Sequence, residues 1–131
     1  MISNDVVFCS GDLRLRPRDM AKFGYLFLNG GLWNGERIIS QEWIDISTFK
    51  HINLNNNWGG LDGYGYQWWL WDDVGAQDFS AYAASGWGGQ WIITWPATNA
   101  VIVLTGGNYY TAEAMPIQTI LADYIIPAIS K

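Results

Sequence analysis

The sequence is poor in the residues that carry most enzyme chemistry: one cysteine, one histidine and only 15% charged residues among 131. A lone cysteine, Cys9, excludes an internal disulfide and a cysteine-based metal site. In its apolar setting, Val6-Val7-Phe8-Cys9, it reads as a small buried side chain. A single histidine, His51, leaves a Ser-His-Asp triad one candidate base, and no nucleophile motif ties to it. There is no G-x-S-x-G turn, because Ala83 stands two residues before Ser85. H-E-x-x-H, P-loop and dinucleotide patterns are missing too, so no metal and no cofactor is expected. No apolar run approaches membrane-spanning length. Met1 to Asp5 lacks the charged and apolar blocks of a signal peptide, which leaves the localisation open. The net charge of −5 argues against nucleic acid as a partner. The one basic cluster, Arg14, Arg16, Arg18 and Lys22, reads as a solvated face.

What is abundant is apolar and aromatic. Half of the residues are hydrophobic, with nine Trp, seven Tyr and five Phe. That composition supports a packed core and argues against disorder. Aromatics at this density bury much area, line a groove or face a partner. The length suits one compact domain or a piece of a larger one.

Residues 1–12 are left unassigned beyond a possible short strand at Val6-Val7-Phe8. Pro17 opens a helix, since proline suits the first helical position. Met20, Phe23, Leu26 and Phe27 recur at helical spacing and are expected to face the core. Asn29-Gly30-Gly31 ends this helix, and Gly31 to Gly35 reads as a turn. Ser40 caps a second helix, with Glu42 in its first turn and Trp43, Ile44 and Ser47 following. Asn53 to Gly63 is polar and glycine-containing and reads as a surface loop. Strands are expected at Tyr64–Trp71, Phe79–Trp87, Gln90–Trp95 and Ala100–Thr105, the last apolar on both faces and therefore central. Ile117, Ile120, Leu121, Tyr124 and Ile125 predict a closing amphipathic helix that Pro127 stops; Thr111 and Pro116 bracket its uncertain start. Short connections imply antiparallel pairing, so the expected fold is α+β: a sheet of three to four strands flanked by helices.

Three places carry candidate chemistry. Asp72, Asp73 and Asp78 could pair as carboxylates, but they read better as solvated turn acids. Ser47-Thr48-Phe49-Lys50 spells Ser-x-x-Lys, yet Ser47 falls near a helix end, where the dipole opposes an anion, so the motif reads as a decoy. Ala84-Ser85-Gly86-Trp87-Gly88-Gly89-Gln90 joins two strands; its glycines fit a hairpin with a bulge or the close approach of a ligand.

Taken in order, Leu13 to Gly24, Asn29 to Gly35, Ile39 to Trp43, Tyr64 to Trp69, Ser85 to Ile92 and Pro96 resemble the C-terminal portion of the serine β-lactamase and DD-peptidase superfamily. The branch most similar is that of class C β-lactamases, related esterases and amide hydrolases. The resemblance covers nearly the whole chain from about Cys9. It implies a site built from a Ser-x-x-Lys nucleophile, a Tyr or Ser motif and a Lys-Thr-Gly triplet on the edge strand of the sheet. Only the third is placed here, with Ala84-Ser85-Gly86 over the triplet. Ser85 then stands for the threonine and contacts substrate, and Ala84 departs from the lysine. Ser85, Gly86, Trp87 and Gly88 are the implied substrate-binding residues, and the strand backbone is implied to pair with a peptide-like substrate. No Tyr-x-Asn occurs. The resemblance also implies a parent that is often exported to the bacterial periplasm.

Two functional readings follow. In one, residues 1–131 form a single partial domain of a serine hydrolase that cleaves an amide or ester through an acyl-enzyme. That chain is expected to be inactive alone, without a nucleophile segment, and to self-associate through bare apolar surface. In the other, it is a non-catalytic, aromatic-rich domain that binds a ligand or a protein.

Overall fold

The computed structural model describes residues 13–58, 60–72, 80–110 and 117–129. Cys9, Asp73, Asp78, Thr111 and Pro116 lie outside them. Helix α1 (Pro17–Leu28) starts at its proline and gives way at Asn29. A small hairpin follows, β1 (Leu32–Trp33) with β2 (Glu36–Arg37). The stretch read as a turn is therefore a paired ribbon. Its tip, Asn34-Gly35, has both residues at positive φ, 50° and 83°, the mirror-image turn that matches strand twist. Helix α2 (Gln41–Ser47) is capped by Ser40, whose hydroxyl accepts from the Trp43 N–H at 3.1 Å.

Six antiparallel strands then form one sheet in sequence order: β3 (Ile52–Trp58), β4 (Leu61–Tyr64), β5 (Trp69–Trp71), β6 (Ala81–Gly86), β7 (Gln90–Trp95) and β8 (Ala100–Leu104). The α+β expectation holds, with more strands than anticipated. The segment 53–63, read as a loop, contributes β3 and β4. Asparagines are poor strand formers, but β3 is outermost among the described strands, and its register with β4 shifts between Asn53 and Trp58. Polar residues are tolerated on such an edge because one side of the strand need not be buried. The expected strand 64–71 is broken by the turn at 65–68, and Gln67 sits there at φ 67°. β8 is the opposite correction: it is outermost among the described strands and not central. Its apolar run is half-buried at every position.

The sheet is covered on both faces. On one, Phe27 of α1 and Ile44 of α2 pack with Trp68, Tyr82 and Ala84. On the other, Ile117 and Leu121 pack with Leu61, Trp71, Ala81, Ala83, Trp91, Ile93 and Trp95. Trp68, in the turn before β5, joins the first face, while Trp69 and Trp71, two apart on β5, join the second. Most tryptophans with described burial are thus core rather than platform; Trp43 and Trp87 are the exposed ones. α1 touches the sheet through Gly24, where a Cβ would meet Val101 Cγ1 at 2.6 Å and Ile92 Cγ2 at 2.9 Å. The buried stripe of α1 therefore runs through Gly24 and Phe27. Phe23, expected in the core, is 45% exposed and stacks on Phe27 and Trp68 instead.

The C-terminal helix comprises α3 (Ile117–Thr119), a π-helical stretch (Ile120–Ile125) and α4 (Ile126–Ile129). Pro127 does not stop it. The Ile126 N–H reaches back to the Leu121 carbonyl, and this wider turn relieves the clash a proline ring makes with an α-helical carbonyl. Tyr124, expected on the apolar face, is exposed. Among the described residues, no helix is long and apolar enough to cross a membrane.

Two expectations test this core. Ile93 is fully buried in β7, so Ile93→Ala should cost about 2–5 kcal/mol in urea unfolding, the range for large-to-small core changes. Burial pushes the Tyr82 phenol from 10.0 up to about 12, with its cross-strand neighbour Thr94 pulling weakly the other way. The unfolded phenol ionises first. The stability that its neutral form contributes is therefore complete below pH 10 and lost as pH rises toward about 12. Urea midpoints between pH 9 and 12 should show that loss, and Tyr82→Phe should remove this component of it.

Candidate active site

β6 is interior in the sheet order, yet its pairing is uneven along its length. β5 pairs with it at Trp71↔Ala81, Leu70↔Tyr82 and Trp69↔Ala83, and there the ladder ends. On the other side β7 continues through Ala84↔Ile92, Ser85↔Trp91 and Gly86↔Gln90. Among the described residues, Ala84, Ser85 and Gly86 therefore lie on a stretch of β6 that is laddered on the β7 side alone. Ala84-Ser85-Gly86, expected to stand over an edge-strand triplet, lie on an interior strand whose edge opens at those three residues. Backbone groups left free along such an edge are the groups an extended ligand pairs with.

The side chains there are small. Alternation puts Ser85 on the face of Ala81 and Ala83, and Ala84 on the face of Tyr82. Ser85 is half-buried, and its hydroxyl makes no hydrogen bond among the described residues. Ala84 places a methyl group where the resemblance implies a lysine. Residues 79–112 contain no charged side chain at all.

The β6–β7 turn, Trp87-Gly88-Gly89, is clamped by the loop that follows β8. Gly88 and Gly89 have φ of 83° and 90°, a region costly for any other residue. A Cβ on Gly88 would run into the Tyr109 ring. The Asn108 N–H donates to the Gly88 carbonyl at 3.1 Å. Gln90 Nε2 donates to the Gly106 carbonyl and, at 3.3 Å, to the Tyr109 hydroxyl. Above this clamp, Trp87 stands 66% exposed, edge-to-face with Tyr109 at 5.7 Å and Tyr110 at 4.8 Å. Tyr109 and Tyr110 were not singled out in the sequence. The signal available was Asn108-Tyr109-Tyr110 directly after a strand next to that of Trp87.

Ser47 and Lys50 are separate from this region. Ser47 is 1% exposed at the last turn of α2, and its hydroxyl donates to the Ile44 carbonyl at 3.1 Å. Lys50 pairs with Asp72. The serine of this Ser-x-x-Lys thus sits at a carbonyl-rich helix end, in its own backbone's hydrogen bond. The Arg14, Arg16 and Arg18 side chains are exposed, and Lys22 pairs with Asp19 at 2.8 Å. His51 is also structural in its contacts: Nε2 lies 2.7 Å from the Ile46 carbonyl, and the ring stacks on Tyr66 at 4.2 Å. Trp43 also stacks on Tyr66, at 5.9 Å, and Phe49 meets His51 edge-on. Sequence reasoning missed this surface row because its members come from α2, the α2–β3 link and the β4–β5 turn.

No family model matches the chain, and no curated protein matches it. Among solved structures, the chain is similar to a protein assigned as a 6-aminohexanoate-dimer hydrolase from Bacillus anthracis, with 26% identity and a TM-score of 0.64. The match covers 86% of this chain and 28% of that one. The chain therefore spans less than a third of that hydrolase. The neighbour has a β-lactamase fold, and the match supports a β-lactamase-like serine-hydrolase fold for this chain at the level of the superfamily.

Proposed function

We propose that residues 1–131 are the C-terminal sheet-and-helix region, a partial domain, of a serine hydrolase of the β-lactamase, DD-peptidase and esterase type, within the branch of class C enzymes and related esterases. The reaction is acyl transfer: a serine attacks an amide or ester carbonyl, the leaving group departs, and water hydrolyses the acyl-enzyme. The observation that carries this reading is the open edge of β6 at Ala84-Ser85-Gly86 within a β-lactamase-like sheet. An extended substrate lies along that edge, its backbone paired with β6 and its carbonyl polarised by strand N–H groups. Ser85 supplies a hydroxyl contact, while Gly86 and Gly88 leave room for close approach. The nucleophile and its base come from outside the described residues, since Ser47 is buried and committed to Ile44. Alone, the chain forms one wall of the site and turns over nothing.

A binding module without catalysis is the second reading. The row of Trp43, Tyr66, His51 and Phe49 favours it, because four contiguous rings at the surface form a contact area that acyl transfer does not use.

The same partial-domain reading leaves β8 uncovered. Its sequence, Ala100-Val101-Ile102-Val103-Leu104, has none of the charges or prolines that protect exposed edges. The chain is expected to self-associate there. Sedimentation should show dimers or larger species, and Ile102→Lys should shift them toward monomer.

The main test has two arms. Backbone amide NMR of the 131-residue chain titrated with N-acetyl-alanine methylamide should move Ala84, Ser85 and Gly86 first. A chromogenic cephalosporin and a p-nitrophenyl ester should not be hydrolysed above buffer. Shifts confined to the Trp43–Phe49 row would favour the binding module. Turnover abolished by Ser47→Ala would show that the nucleophile lies within this chain.

A further inference from the structure

Trp87, Tyr109 and Tyr110 are more than an exposed apolar spot. Tyr109 and Tyr110 each meet Trp87 nearly at a right angle, 84° and 82° between ring planes. Two perpendicular rings in contact bound a corner with a π face on each wall, and three rings make two such corners that share Trp87. The corners are open: Trp87 is 66% exposed, Tyr109 48% and Tyr110 90%. They are also held in place. Gly88 lies under the Tyr109 ring, Gln90 reaches the Tyr109 hydroxyl, and Asn108 bonds to Gly88. Tyr110 sits at φ 59°, a conformation uncommon for a bulky residue, and such outliers cluster at ligand sites.

The charge around this corner decides what it suits. The residues that hold the rings, Gly88, Gln90 and Asn108, are uncharged, so none of them sets a cation or a carboxylate against the ring faces. The chain as a whole is at −5, which favours cations over anions at its surface. Aromatic faces select weakly hydrated cations, because such ions lose little on leaving water and gain the ring quadrupole.

We infer that Trp87, Tyr109 and Tyr110 form an aromatic cage for a quaternary ammonium group, and that this group belongs to the substrate lying along β6. The cage is beside the open edge: Trp87 follows Gly86 directly. The second half of the inference rests on the acyl-transfer reading, and it names the substrate class as an ester or amide whose chain ends in an alkylated ammonium. The first half does not depend on it.

The probes are choline and its uncharged isostere 3,3-dimethylbutan-1-ol, titrated into the 131-residue chain and followed by indole and amide NMR. Choline should shift the Trp87 indole and the amides of Gly88, Tyr109 and Tyr110, and the neutral isostere should bind at least about tenfold more weakly. Trp87→Ala and Tyr110→Ala should each weaken choline binding by about tenfold. Both side chains are largely exposed, so the urea midpoints of these variants should stay near the parent's. Equal binding of the two probes would reduce the cage to an apolar patch and overturn the inference. No shift at Trp87, or choline shifts centred on Trp43 and Tyr66, would overturn it as well. Choline binding at Trp87 without any response of Ala84 to Gly86 to the peptide amide would keep the cage and remove its link to acyl transfer. The reverse pattern would leave acyl transfer standing and remove the cage.

Discussion

Five consecutive residue pairs, from Tyr82↔Thr94 to Gly86↔Gln90, hold β6 against β7, and the rest of the molecule depends on that register. A slip of β6 by one residue would turn Ala83 out of one core and Tyr82 out of the other. It would also carry Ser85 to the opposite face and move the turn away from the loop that clamps it. The register is fixed at both ends. Small alanines at 81 and 83 admit Trp71, Trp91 and Trp95 on one face, and glycines at 88 and 89 close the tip.

The other face shows what the close packing costs. Thr94 is fully buried, and its Oγ1 has no hydrogen-bond partner of normal geometry in the structure, a state worth roughly 1–3 kcal/mol against the fold. Gly24 lies beside it. Bringing α1 down onto β7 and β8 without an intervening Cβ gives tight contact with Ile92 and Val101, and the same approach shuts water away from the threonine. The Tyr82 hydroxyl shares this dry layer, which is why its phenol resists ionisation.

Much of this was legible in the sequence where local chemistry decides structure. Pro17 opened α1, Ser40 capped α2, and β7 runs over the expected Gln90–Trp95 because alternation and turn signals bounded it on both sides. Legibility failed where a residue's neighbours come from far along the chain. β3 looked like a loop because its asparagines are tolerated on an outer strand. β8 looked central because its two apolar faces are needed for packing even at a sheet margin. Phe23 gave way to Gly24 because helical spacing marks a face but not which residue allows closest approach. At the site, Ser85 and the glycines beside it stood out in one contiguous segment. Tyr109 and Tyr110 did not, since only the fold brings the loop after β8 over the turn before β7.

The π-helical stretch from Ile120 to Ile125 has its own consequence. A π turn is an α-helix holding one residue more than its pitch requires, so everything after it is rotated by about 100° relative to a regular continuation. Ile117 faces the core before it, Leu121 and Ile125 within it, and Ile126 and Ile129 after it. The helix thereby stores an insertion as a twist. Removing a single residue between 120 and 125 would unwind that twist and return Pro127 to a regular turn, where its ring strikes a carbonyl. The proline and the extra residue are thus mutually dependent, and neither is neutral without the other.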